Sequence, residues 1–223
     1  MSLHNGYWPS LLIVSLLAGC AGQQAEEPAQ EAEMSRTLVY ECDQDELVAS
    51  VRGEQLALYA GEEVYELTRV VSASGEKYEV GQTSVWSKGS SAIIAIRGIR
   101  YTNCRLNAAR APWEEARRRG VEFRGVGQEP GWLVEITPGG KILLVTGYGQ
   151  QRWLFDTPDP LLSEEATIYQ TSANGKQLKI TLQTEHCQDT MSGEVFENAV
   201  IVELDERRLQ GCGSALEPDW QWE

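Results

Sequence analysis

Between Thr37 and Cys104 the chain is broken into apolar runs too short to make helices. TLVYEC, LVASVR, QLALYA, VYELTRVV, EKYEV, SVWSK, AIIAIRG and IRYTNC succeed one another, most of them rich in β-branched or aromatic residues. Gly, Asp or Ser separates them, which is the pattern of strands joined by tight turns. Arg52-Gly53-Glu54 and Ala73-Ser74-Gly75 have the residues of hairpin turns. About six to eight short antiparallel strands in roughly seventy residues predict a small barrel or sandwich.

A second series of strands fills Val121 to Cys212: WLVEIT, KILLVTG, RWLFD, ATIYQTS, KQLKITLQT and AVIVELD, with turns at Pro138-Gly139-Gly140 and Ala173-Asn174-Gly175. Between the two blocks lies ARAPWEEARRRGVEF, which has helical punctuation. Pro112 suits a first helical turn and Gly120 a C-terminal cap. Glu114 and Glu115 lie near the positive end of the helix dipole, Arg117 to Arg119 near its negative end. The expected fold class is therefore all-β, with two small antiparallel β-barrel or sandwich domains, 37–110 and 121–223, joined by a short helical hinge at 111–120. No tract repeats at a fixed period, and the two blocks do not look like copies.

Leu11 to Ala18 is an apolar run of about the length of a signal-peptide core and too short to span a bilayer. It leads into Leu17-Ala18-Gly19-Cys20, which resembles the lipobox of bacterial lipoproteins, although no Lys or Arg precedes the apolar run. The resemblance implies a signal peptide over 1–19, lipidation of Cys20 as the new N-terminus, and attachment to the membrane through that lipid. Ala21, rather than Asp, follows the cysteine; by the family's sorting rule this implies the outer membrane of a Gram-negative envelope, facing the periplasm. Residues 20–36 are polar, acidic and poor in large apolar groups, so they read as a disordered tether.

With Cys20 assigned to lipid, Cys42, Cys104, Cys187 and Cys212 remain. Four cysteines in an exported chain imply two disulfides, with three ways to pair them. The division into two blocks favours Cys42–Cys104 and Cys187–Cys212, each worth roughly 3–4 kcal/mol in the chain-entropy model. Beyond the leader the chain has one histidine, His186, and no CxxC, which argues against a metal centre. A Ser-His-Asp hydrolase is disfavoured too. His186, Asp189 and Ser192 are close in sequence, but a triad needs convergence in space. No cofactor and no catalysis are expected.

The net charge of −14 is unevenly placed: Thr37 to Arg110 carries −2 and Val121 to Glu223 carries −10. That sign is wrong for nucleic acid and suits a cationic partner.

Tyr40–Cys42 (YxC), a Leu-rich strand pair, Ser74–Tyr78 (SGxxY), Trp86–Ala92 (WxKG then SSA) and Tyr101–Cys104 (YxxC) follow in that order. Together, behind a lipobox, they resemble the membrane-bound inhibitors of c-type lysozyme over residues of about 37–104. The resemblance implies an eight-stranded antiparallel barrel with a disulfide. It also implies a basic protein partner, c-type lysozyme, whose active-site cleft receives the serine of SGxxY and the lysine of WxKG. By motif these are Ser74 and Lys88. Gly75 and Gly89 would let the backbone turn tightly beside the cleft wall. Tyr78 and Trp86 would pack in the barrel or stiffen the loops, and rigid loops lose less entropy on binding.

Phe123–Ile136 (FRGVGQEPGWLVEI) and Cys187–Gly213 resemble a family of uncharacterised bacterial envelope domains marked by EPGW, CxDxMSGxxF and a closing GCG. That resemblance implies no catalytic residues. Within it Trp132 reads as a core anchor or a ligand-stacking platform, and Asp189 and Ser192 as turn hydrogen-bonders. Trp220 and Trp222 in the tail look exposed. Two functions follow from the sequence: a lipid-anchored lysozyme inhibitor, or a non-catalytic envelope binding or assembly lipoprotein with a protein or small-ligand partner.

Overall fold

The computed structural model describes Met1 and residues 35–216. Residues 2–34 and 217–223, which hold the expected signal peptide beyond Met1, Cys20, most of the expected tether, Trp220 and Trp222, lie outside the described residues.

Eight strands form a closed antiparallel barrel in simple sequence order. They are β1 (Arg36–Glu41), β2 (Glu46–Arg52), β3 (Gln55–Ala60), β4 (Glu63–Val70), β5 (Glu76–Val80), β6 (Thr83–Lys88), β7 (Ser91–Ile96) and β8 (Ile99–Leu106). The alternation read from the sequence sets the faces. Leu47, Ala49 and Val51 of β2 and Leu56 and Leu58 of β3 point inward, where Leu67, Tyr78, Val85 and Ile94 meet them. Closure is the thin part. β1 and β8 pair only through Tyr40↔Leu106 and Glu41↔Arg105. The Cys42–Cys104 disulfide spans this seam.

Helix α1 (Ala111–Arg118) begins with Pro112 in its first turn and ends as its sequence dictates. Gly120 takes φ +80°, its N–H donates to Arg117 O at 2.9 Å, and Val121 N–H donates to Ala116 O at 3.1 Å. This is the Schellman pattern, completed by burial of Ala116 and Val121 in one cluster. The helix is held from both sides. Trp113 stacks on Phe196, ring centroids 5.2 Å apart, while the Arg118 guanidinium lies 4.0 Å from the Tyr59 ring of the barrel.

The remaining strands are β9 (Phe123–Gln128), β10 (Gly131–Ile136), β11 (Lys141–Thr146), β12 (Gln151–Asp156), β13 (Leu161–Leu162), β14 (Ala166–Ala173), β15 (Lys176–Gln183), β16 (Cys187–Gln188), β17 (Val195–Phe196), β18 (Asn198–Leu204) and β19 (Arg207–Ala215). Nine of them make one sheet in the order β12-β11-β10-β9-β19-β18-β15-β14-β13, curled until β12 approaches β14. The all-β class holds, with one curled sheet as the form of the second block. The Cys187–Cys212 disulfide ties the small β16–β17 hairpin to β19. Barrel and sheet lie in one compact unit.

β9 and β19 were not among the strands read from the sequence. Each carries two glycines, which weaken strand propensity. Their pairing requires those glycines. A Cβ on Gly211 would sit 2.0 Å from Val126 O, and one on Gly127 would sit 2.1 Å from Trp132 Nε1. The space is taken by Trp132, which is buried and donates Nε1–H to Gln210 O at 3.2 Å. It is the core anchor its sequence position suggested.

Replacing Cys42 and Cys104 together by serine should lower stability by about 4 kcal/mol. Amide exchange should rise first at the β1–β8 seam. Urea unfolding with residue-resolved exchange checks both, and uniform loosening of the barrel would contradict a weak seam.

Candidate functional site

The barrel brings the Ser74 and Lys88 corners together. Ser74 lies in the β4–β5 connection, and Lys88 ends β6, the strand that pairs with β5. Glu76 is opposite Ser87, so the next step along β5 lies beside Lys88. The contact is close: a Cβ on Gly75 would be 2.0 Å from Ser87 O and 3.3 Å from Lys88 Cα. Gly75 also has φ +71°, so this position needs glycine for both conformation and space. Gly89 has φ +60° and open space around it, so there the backbone angle alone favours glycine. It leads the two-residue turn between Lys88 and Ser91, as a type II′ hairpin prefers.

Hydrogen bonds hold the Ser74 corner. Ser72 Oγ donates to Ser74 O at 3.3 Å and to Gly75 O at 3.1 Å. Trp86 Nε1 donates to Ser74 O at 2.8 Å. The two aromatics of the motif therefore differ in role. Trp86 is 37% exposed and lashes β6 to the corner, whereas Tyr78 is 2% exposed inside the barrel. The structure places Tyr78 beneath the candidate surface, not on it. Burial pushes the hydroxyls of both Tyr40 and Tyr78 above the ordinary tyrosine range, with Ser87 drawing Tyr40 partly back.

What these corners offer outward is a serine hydroxyl and an ammonium that no other described group engages. The chain has five lysines, all described. Lys77, Lys141, Lys176 and Lys179 pair with Glu79, Asp156, Asp205 and Glu203. Lys88 is exposed and has no acidic partner among the described residues. The cations on the other side of Ser74 are engaged: Arg36 and Arg69 both contact Glu76, and Arg69 also contacts Glu54. An unpaired cation beside a free hydroxyl can accept a carboxylate and a carboxylic acid together.

The outward face continues past the motif. Lys88 is opposite Ser91, and Ser91 is opposite Arg105 of β8. Arg105 Nη1 donates to Ser91 Oγ at 2.9 Å. Two register steps away, and so on the same face, Trp86 is opposite Ile93, itself 47% exposed. Sequence reading included neither Ser91, Ile93 nor Arg105 in the site: Ser91 lies within the Trp86–Ala92 motif but was given no role, and only strand register puts Arg105 in one row with Lys88.

Residues 40–103 match the family of membrane-bound lysozyme-inhibitors of c-type lysozyme. The matched stretch is the barrel from Tyr40 in β1 into β8. A curated relative, the membrane-bound lysozyme inhibitor of C-type lysozyme from Escherichia coli (strain K12), is 29% identical over 99 residues, which cover 43% of this chain and 88% of that protein. No solved structure matches the chain. Among the described residues no helix is long and apolar enough to cross a membrane, and no cluster of three or more His, Cys, Asp or Glu could hold a metal ion.

Among the described residues of the second block, no hydrogen bond joins His186 to Asp189 or Ser192. Asp189 Oδ1 accepts from the N–H groups of Met191 and Ser192 at 3.0 and 2.7 Å and from Ser192 Oγ at 3.0 Å. Its Oδ2 accepts from Gln128 Nε2 at 3.3 Å. Asp189 and Ser192 are thus turn hydrogen-bonders, and the described contacts bring His186 to neither. These bonds, the Ser192 N–H above all, hold the Asp189 carboxyl below the usual aspartate range.

A depressed folded pKa stabilises above the unfolded value, about 4, and the contribution is lost as pH falls through the folded value. Asp189→Asn should therefore lower Tm at pH 7, with the gap to wild type shrinking as pH drops from about 5 to 2. A gap independent of pH would mean the charge of Asp189 contributes nothing.

Proposed function

We propose that this protein is a membrane-anchored inhibitor of a c-type lysozyme, held by a lipid on Cys20 at the outer membrane and protecting peptidoglycan. The observation that carries this reading is Lys88, the lysine without an acidic partner among the described residues, set beside Ser74 on the barrel that matches the inhibitor family. The name of the Escherichia coli relative supports the same reading. Inhibition here is occupation of a site, with no substrate turned over and no cofactor.

The chemistry of the target explains the choice of groups. A retaining glycosidase holds two carboxyl groups about 5 Å apart, one protonated and one ionised. Lys88 carries a compact charge on a long stem and pairs with the ionised carboxylate. The Ser74 hydroxyl donates and accepts, so it satisfies the acid in either protonation state. Trp86 holds the corner before the partner arrives, which limits the entropy lost on binding. Tyr78 supports this arrangement from inside the barrel.

Two measurements test the reading. In a peptidoglycan lysis assay with a c-type lysozyme, the wild-type protein should inhibit stoichiometrically. Lys88→Ala should lose about 2–5 kcal/mol of binding, because it strands a carboxylate in the complex. Ser74→Ala should lose less, about 1 kcal/mol for a neutral hydrogen bond. Equal or absent losses would remove the insertion mechanism.

The second block, net −10 over Val121 to Glu223, would speed encounter with a basic enzyme. Stopped-flow association should slow steeply as salt rises from about 0.01 to 0.15 M, where the screening length falls from about 30 to 8 Å. A salt-independent rate would exclude steering.

A further inference from the structure

We infer that the inhibitory surface extends from Lys88 across the outward face of β7 to Arg105 of β8, and that Arg105 is a second cationic contact, taking a carboxylate of the partner. This rests on the lysozyme reading above and adds to it a residue that the two corner motifs do not contain. Directly opposed residues on antiparallel strands point to the same face. The registers Lys88↔Ser91 and Ser91↔Arg105 therefore align three side chains in one row, all of them exposed.

The guanidinium is pre-set. Its bond to Ser91 Oγ draws Arg105 toward Lys88 and engages one nitrogen. Glu41, opposite Arg105 on β1, accepts instead from Asn107 Nδ2 at 2.6 Å, and among the described residues Arg105 has no ion pair. Its other N–H groups keep the planar fork that matches a carboxylate. With strands about 4.8 Å apart, the Cα atoms of Lys88 and Arg105 lie two spacings, about 10 Å, apart. The two carboxyl groups of a retaining cleft are separated by about half that distance. Arg105 thus meets an acidic group on the cleft wall while Lys88 engages the catalytic pair. The Trp86–Ile93 pair beside the row supplies apolar surface next to the two cations, so the contact excludes water around them.

The experiment measures lysozyme inhibition and binding with the full chain in detergent, comparing wild type, Arg105→Ala, Arg105→Lys, Arg100→Ala and Lys88→Ala. Arg100 is an exposed cation on the same strand outside the row, so its removal makes the same change in net charge. Arg105→Ala should weaken binding about tenfold or more with unchanged Tm and a shallower salt dependence. Arg105→Lys should recover part of the loss, and Arg100→Ala should bind as wild type. If Lys88→Ala loses inhibition while Arg105→Ala binds as wild type, this inference fails and the lysozyme reading stands. Equal losses for Arg105→Ala and Arg100→Ala reduce Arg105 to net charge and overturn a specific contact. If the wild-type chain does not inhibit, both fall.

Discussion

The closure of the barrel between β1 and β8 is the constraint on which the rest depends. A meander of eight strands becomes a cylinder only when its first and last members meet, and here they share two residue pairs. Open edges would leave unpaired backbone groups and a core exposed on one side. The Cys42–Cys104 bond holds the seam where the ladder is shortest. Through that seam the disulfide also fixes β8 and, one strand further, β7. The row from Lys88 to Arg105 therefore owes its geometry to a bond on the barrel's closing edge.

The proposed contact is made of two hairpin corners and a strand face, so its selectivity would come from placing a few groups at fixed separations. The corners are held by backbone acceptors rather than by ion pairs. Trp86 donates to the Ser74 carbonyl, Ser72 shares its one hydroxyl proton between the Ser74 and Gly75 carbonyls, and Gly75 lets two backbones approach within a distance that any side chain would block. Ion pairing is spent elsewhere. Arg36, Arg69 and the other four lysines are matched by acids, whereas Lys88 has no acidic partner among the described residues.

The helix joins this device to the curled sheet without covering it. Arg118 rests on Tyr59 of β3 and Arg110 pairs with Glu46 at the start of β2, whereas the row occupies β6 to β8. On the other side, Arg119 and Arg124 share the buried Glu135 carboxylate, and Arg124 lies over Trp113. Burial lowers the affinity of Arg124 for its proton, and the Glu135 charge opposes that shift. Such a group is costly to bury alone and is tolerated because its carboxylate is shared.

The sequence by itself determined the strands of the barrel, the helix and both disulfide pairs. Alternation, turn glycines and the division into two cysteine-bearing blocks are local signals, each readable within a few residues of itself. It also marked Ser74 and Lys88, whose motifs are short. It did not reveal β9 and β19, because Gly125, Gly127, Gly211 and Gly213 look like loop residues until Trp132 and the partner backbone are seen to need their missing side chains. Tertiary structure alone decided that Tyr78 faces in and Trp86 out, that four lysines pair with acids while Lys88 has no acidic partner among the described residues, and that Arg105 stands in one row with Lys88. Those facts depend on cross-strand register and barrel shear, which join residues far apart in the chain and leave no mark on the residues next to them in sequence.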